Sequence, residues 1–226
     1  MSVAFLGMVA SASAAACIPD PKGDFEDYRD KTAGLGEKDS GPADVQALDT
    51  KPPETVTDAL YIGICVTTLA GKDPAQALRF YTETKYTPVP GSDGKLTMTV
   101  TPMHGWDKTK NDYITPSAVS KANTRGKGIT VTDVPVKSSD GRFTANLGTI
   151  NLPGEANSIS GRDAVIANLV LDGKFGVGEF CSTLGGNLTV PYAYTFNPKE
   201  NTCLFIKVNE GDPVPARDAT QFLCPL

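Results

Sequence analysis

Between positions 95 and 101 polar and apolar side chains alternate without a break. Leu96, Met98 and Val100 fall on one face of an extended chain, and Lys95, Thr97, Thr99 and Thr101 fall on the other. Successive side chains of a strand point to opposite faces, so this pattern suits a strand that buries one side and wets the other. Similar runs occupy 60–66, 78–85, 129–136, 143–150, 165–171, 188–196 and 204–208, giving eight candidate strands. No amphipathic stretch of more than about ten residues has helical spacing, which excludes an α/β layout. Within 129–136 the apolar phase slips across Asp133, the mark of a bulge or a strand break. Asp93-Gly94, Ser139-Asp140-Gly141 and Asp172-Gly173 supply turn signals between runs, in a chain with 22 glycines and 17 prolines. Short connections favour antiparallel neighbours, because parallel strands need long crossovers. The expectation is an all-β domain over 58–226, a single antiparallel β-barrel or β-sandwich of about eight strands. The pattern does not choose between the two.

The opening MSVAFLGMVASASAAA carries no charge and ends in small residues, which reads as a signal peptide over 1–16 that is too short to span a bilayer. Ala14-Ala15-Ala16-Cys17 is similar to a bacterial lipobox, in which the cysteine takes a diacylglyceryl group and becomes the new N-terminus. It departs from that pattern in having Ala14 where leucine is usual and no Lys or Arg ahead of the apolar run. Ordinary cleavage after an alanine is the alternative, leaving Cys17 a free thiol on a secreted chain. The five cysteines favour lipidation: with Cys17 assigned to lipid, Cys65, Cys181, Cys203 and Cys224 form an even set for disulfides in an oxidising compartment. Four cysteines allow three pairings. Cys181–Cys203 with Cys65–Cys224 is the expected choice, because 181 and 203 flank what reads as one strand excursion. No CxxC spacing points to zinc or redox chemistry.

From 17 to 57 the chain is rich in Asp, Glu, Lys, Pro and Gly and poor in large apolar residues, as expected of a flexible acidic linker carrying the lipid-attachment cysteine. A short helix over 25–31 with Asp24 as its N-cap fits the composition. Asp20, Asp24, Glu26 and Asp27 lack the spacing of a calcium loop, and a solvated acidic face explains them.

The stretch Asp20-Pro21-Lys22-Gly23-Asp24-Phe25-Glu26-Asp27-Tyr28 resembles the start of predicted lipoproteins of the myxobacterial type. So do Gly141-Arg142-Phe143, the run from Gly148 to Ile159 that contains Asn151-Leu152-Pro153-Gly154-Glu155, and Glu179-Phe180-Cys181. These are turn and strand patterns covering about a third of the chain. The resemblance implies a lipoprotein compartment and a β-rich fold, and it implies no reaction.

A net charge of −5, from 26 acidic and 21 basic residues, argues against nucleic acid or an anionic membrane surface, both of which need a basic footprint. The sole histidine, His104, and the sole tryptophan, Trp106, share one long interruption of the strand series, 102–126, with Tyr113. Loops of that length on rigid scaffolds often act as lids or binding loops. The sharper reading is a flap over a barrel mouth with Trp106 stacked on a ligand. The plainer and favoured one is a surface excursion whose Trp106 packs on the sheet, with a helical turn at 117–121. Tyr192, Tyr194 and Phe196 form a period-two aromatic stripe that suits either a ligand surface or ordinary core. In 165–170 both strand faces are apolar, as in a sandwich centre or a barrel with an apolar lumen.

Catalytic signals are weak. A Ser-His-Asp arrangement has only His104 to use and no GxSxG elbow. Glu83, Asp107 and Asp112 are carboxylates that can converge near the long loop, but chance supplies such groups. No cofactor, metal or catalytic residue is expected. The sequence therefore predicts a cell-envelope lipoprotein, tied to the membrane by lipid on Cys17, whose non-catalytic β-domain binds a small apolar ligand or an envelope protein. The candidate ligand residues are His104, Trp106, Tyr113, Tyr192 and Tyr194. A structural or assembly protein of the envelope is the alternative, and a hydrolase built around His104 is a third.

Overall fold

A computed structural model describes residues 58–176, 178–222 and 224. The expected signal peptide over 1–16, Cys17, the expected acidic linker and the expected 25–31 helix lie outside the described residues. Eleven strands follow in chain order: β1 (Asp58–Val66), β2 (Leu78–Thr87), β3 (Gly94–Pro102), β4 (Trp106–Asp107), β5 (Asp112–Tyr113), β6 (Ile129–Val136), β7 (Arg142–Leu152), β8 (Ala164–Lys174), β9 (Glu179–Val190), β10 (Tyr194–Phe196) and β11 (Thr202–Val208). Short 3-10 turns are the only helical pieces among the described residues.

The strands settle the choice left open by the pattern. Antiparallel ladders run β9-β11-β1-β2-β3-β6-β7-β8, and β8 pairs back onto β9, so eight strands close into a barrel. β10 is an extra strand laid on the far end of β9, and β4 and β5 form a separate small ladder. The alternating run of β3 buries Leu96, Met98 and Val100 inside the ring and turns its threonines outward. The phase slip in β6 is a bulge: Asp133 takes φ +55°, and the β3–β6 register shifts beside it.

Aromatic rings close the lumen towards one end. Phe180 stacks on Phe205 with centroids 4.4 Å apart, meets Tyr61 edge-on at 5.0 Å and Phe143 at 5.8 Å. The apolar space left between Leu78, Phe80, Val100, Leu147, Ile166, Leu184 and Phe205 is about 10 Å³. One water needs at least roughly that much room, so the interior is a packed core.

A second apolar cluster lies on the outside of the ring. Ile62, Ile64 and Val66 of β1 and Leu204 of β11 point outward yet are buried. Met103 and Val119 from the β3–β6 connection cover them, together with Val214 and Phe222 from the chain after β11. β1 is therefore buried on both faces, which explains why 60–66 carries no charged residue.

Three strand expectations and the disulfide pairing need correction. Asp172-Gly173 is not a turn but part of β8. Thr144 Oγ donates to Asp172 Oδ1 at 2.6 Å, and Gly173 leaves space for the Phe143 ring, which a Cβ there would approach to 2.7 Å. The 188–196 run is not one strand. β9 ends at Val190, Pro191 cannot donate to a ladder, and the chain turns back so that Tyr194 pairs with Leu188 and Phe196 with Gly186. In 165–170 the two apolar faces are one face interrupted by a bulge at Asn168 (φ +51°). Ile166 points inward before it and Leu169 and Leu171 after it, while Val165 and Val170 are half-buried.

The disulfides are Cys65–Cys203 and Cys181–Cys224. Cys65 and Cys203 are directly opposite on β1 and β11, with Cα atoms 4.0 Å apart, and both point inward. Cys181 stands opposite Leu204, one residue out of step with Cys203, so it projects to the outer face. A one-residue offset flips the side of the sheet, and the expected Cys181–Cys203 bond is thereby impossible.

Candidate functional site

The barrel's two ends differ. At one end the connections are 88–93, 137–141 and 175–178, all short, and the chain enters β1 there at Asp58. At the other end gather 67–77, 103–128, 153–163 and 191–201, and all five aromatic and histidine candidates lie in these segments. Alternation of strand direction around the ring dictates this division.

The 103–128 connection is an ordered excursion built on main-chain bonds. His104 N–H donates to the Asn123 carbonyl at 2.7 Å, Gly105 N–H to the Glu155 carbonyl at 2.7 Å, and Ile114 N–H to the Gly105 carbonyl at 2.9 Å. Trp106 pairs with Tyr113 and Asp107 with Asp112 across the β4–β5 ladder. The indole packs on Gly161 (φ +65°), where a Cβ would fall 2.2 Å from Trp106 Nε1. Trp106 thus rests on the β7–β8 connection. The helical turn expected at 117–121 is a 3-10 turn at Lys121–Asn123, capped by Ser120, whose side chain accepts from Ala122 N–H. Tyr113 stands outermost, 38% exposed.

Electrostatics hold this excursion to its neighbour. Glu155 accepts Lys108 at 3.1 Å and Arg125 at 3.2 Å. The Lys108 hydrogen bond and charge, then Arg125 and His104, hold its carboxyl below the usual carboxylate range. Asp107 is also held low, by the N–H groups of Lys110 and Thr109 that it accepts and then by the Lys110 and His104 charges.

Tyr192 and Tyr194 occupy the other flank. Tyr194 hydroxyl and Thr68 Oγ share a hydrogen bond, and the Tyr194 ring meets Phe196 edge-on at 5.3 Å. Tyr192 is 53% exposed and borders a slot with Leu69, Ile159, Ser160 and Pro191 that holds about 20 Å³. The period-two stripe therefore splits: Phe196 is core, Tyr194 is half-buried and Tyr192 is surface. His104, Trp106 and Tyr113 share one side of the 153–163 connection through Gly161 and Glu155, and Tyr192 meets the same connection through Ile159 and Ser160.

His104 Nε2 donates to the Trp106 carbonyl at 3.1 Å, which ties the imidazole to the start of the β4–β5 ladder. Asp107 and Asp112 face each other, whereas Glu83 is bound by Lys121 Nζ at 2.9 Å, so the three carboxylates do not form one site. Among the described residues no three His, Cys, Asp or Glu side chains gather as for a metal ion. Among them, too, no helix is long and apolar enough to cross a membrane.

Two polar knots escape a reading of the sequence. One is the Lys108–Glu155–Arg125 clamp. The other is Glu210, which accepts Tyr81 hydroxyl at 2.8 Å and Lys121 N–H at 2.9 Å. The residues of each knot lie far apart in the chain, and no local pattern marks them. No family model matches the chain, and no curated protein or solved structure matches it.

Proposed function

We propose that the chain is a lipid-anchored recognition module of the cell envelope, non-catalytic, that contacts a partner protein through the end of the barrel where the long connections gather. The observation that carries this reading is the packed lumen. The apolar space among Leu78, Phe80, Val100 and Phe205 holds about 10 Å³, far less than an apolar ligand needs, which favours the outer surface for binding. The loop end supports it: Tyr113 and Tyr192 stand exposed on a connection network made rigid by main-chain bonds and the Glu155 clamp. Exposed tyrosines on a rigid frame suit protein contacts, because they bury much area at little entropic cost.

Two disulfides are at home in an oxidising, extracytoplasmic environment. Lipid on Cys17 completes the reading. The chain enters the barrel at Asp58, at the end with the short hairpins. A diacyl anchor holds far more firmly than one acyl chain.

A photo-crosslinking residue placed at Tyr113 or Tyr192 should give adducts with an envelope protein, and one placed at Ser92 or Asp140 should not. Equal adducts from both ends would sink the assignment of the face. Native mass spectrometry of Cys17→Ser should show the bare chain; extra mass lost on denaturation would point instead to a captured small molecule. Cys17→Ser should also move from the membrane to the soluble fraction, and a variant still wholly in membranes overturns the lipid anchor.

A further inference from the structure

We propose that Cys181–Cys224 is a reducible latch that holds the C-terminal segment over the outer apolar face of the barrel, while Cys65–Cys203 is a sealed structural bond. The two bonds differ in what surrounds them. Cys65 and Cys203 are each 1% exposed and sit within the barrel core. Cys181 and Cys224 are half-buried, outside the ring, at the edge of the cluster formed by Ile62, Ile64, Leu204 and Phe222.

The segment after β11 runs back across that cluster. Gly211 N–H donates to the Val119 carbonyl and Val119 N–H to the Asp212 carbonyl, each at 2.8 Å, so its first residues are zipped to the long connection. Farther on it is held by Val214, by Arg217 to Glu179 at 3.5 Å, by Phe222 in the apolar cluster and by Thr202 Oγ, which donates to the Phe222 carbonyl at 2.7 Å. Cys224 is the covalent end-stop on these modest contacts. Cutting it leaves Phe222 and Val214 to hold the cover, and their departure uncovers Leu204 and Ile206 on β11 and the outward side chains of β1.

The opening step is thiol–disulfide exchange with an external dithiol. Its thiolate attacks one latch sulfur, forming a mixed disulfide and expelling the other latch sulfur as a thiolate. The second thiol of the reductant then resolves the mixed disulfide. The net change is two electrons and two protons onto Cys181 and Cys224 and a disulfide in the reductant. Exchange needs access of the thiolate to sulfur, which the latch allows and the barrel bond denies.

The test uses the folded full-length chain, treated with graded dithiothreitol, alkylated, and mapped by peptide mass so that Cys17 is scored apart. Cys181 and Cys224 should be labelled at least about tenfold faster than Cys65 and Cys203, in line with their greater access. In the same samples 1-anilinonaphthalene-8-sulfonate fluorescence should rise, and amide exchange over 213–222 should quicken while the β1–β11 ladder stays protected. Simultaneous labelling of all four cysteines overturns the proposal, as does a latch-labelled protein with silent dye and unchanged exchange. The variant C181S/C224S, checked for its barrel by circular dichroism, should bind the dye without reductant; a covered, dye-silent variant also overturns it.

Discussion

Gly63 lacks a side chain because Phe205 occupies the place one would take. A Cβ at Gly63 falls 2.7 Å from Phe205 Cε1, and that ring is held against Phe180 by parallel stacking at 4.4 Å. The ring cannot yield without disturbing Tyr61 and Phe143, which contact Phe180 edge-on. Gly63→Val should destabilise the barrel by about 1–3 kcal/mol, the usual cost of overpacking a filled core, read from a urea midpoint at unchanged slope. Phe205→Leu in the same chain should recover part of that loss, and no recovery would mean the strain lies elsewhere. Two phenols make a second case. Burial pushes Tyr61 above its ordinary value of 10.0, with its hydroxyl left unpartnered among the described residues. Burial, then the hydrogen bond and charge of Glu210, does the same to Tyr81. Both phenols are bound as neutral acids in the fold, so their contribution is complete below pH 10 and is lost as pH rises from 10 through their folded values. Thermal stability should therefore fall steeply above about pH 10, and Tyr81→Phe should flatten that fall. Parallel curves for the two proteins would exclude Tyr81 as a source.

Among the elements, those whose code is local were legible in the sequence. The alternation in β3, the slip at Asp133 and the Ser139-Asp140-Gly141 turn, with Gly141 at φ +75°, each follow from a few neighbouring residues. Elements whose code is distant were not. Most of β9 escaped because Gly185 and Gly186 interrupt its pattern, and Gly186 lies where a Cβ would press on the backbone of Ala167, Asn168 and Leu169. The cysteine partners depended on register across three strands, which no single run of sequence carries. The same division holds for the candidate site. The long connection and its aromatic residues were visible as an interruption, but the seat of Trp106 on Gly161 required the β7–β8 connection to fold beneath it. Trp106→Ala should consequently loosen 104–114 and leave the barrel intact, because Met103 and Val119 still anchor the excursion in the outer cluster. Amide exchange at Ile114, whose N–H bonds Gly105, should accelerate while β3 and β6 keep their protection. Loss of protection throughout the ring would show instead that the excursion and the barrel are one cooperative unit.

At the scale of the molecule, closure is the costly step, because the ring is completed by its first and last long strands. β1 and β11 pair from Leu60 with Val208 to Val66 with Thr202, and Cys65–Cys203 lies inside that ladder, its ends 138 positions apart in the chain. Every other neighbour in the ring is nearer in the chain, so the other ladders can form while this one is open. A cross-link over so long a loop removes much of the freedom of the unfolded chain, by roughly 5 kcal/mol on the chain-entropy model. It also spans a junction whose opening leaves the sheet two long edges, and open edges invite pairing with other chains. Replacing both residues, as in C65A/C203A, should lower stability by about 3–5 kcal/mol in denaturant titration. The variant should also become prone to concentration-dependent association on refolding, measured by light scattering. A loss below about 1 kcal/mol with clean refolding would show that packing around Phe180 and Phe205 closes the ring unaided and that the bond serves only to lock what has already formed.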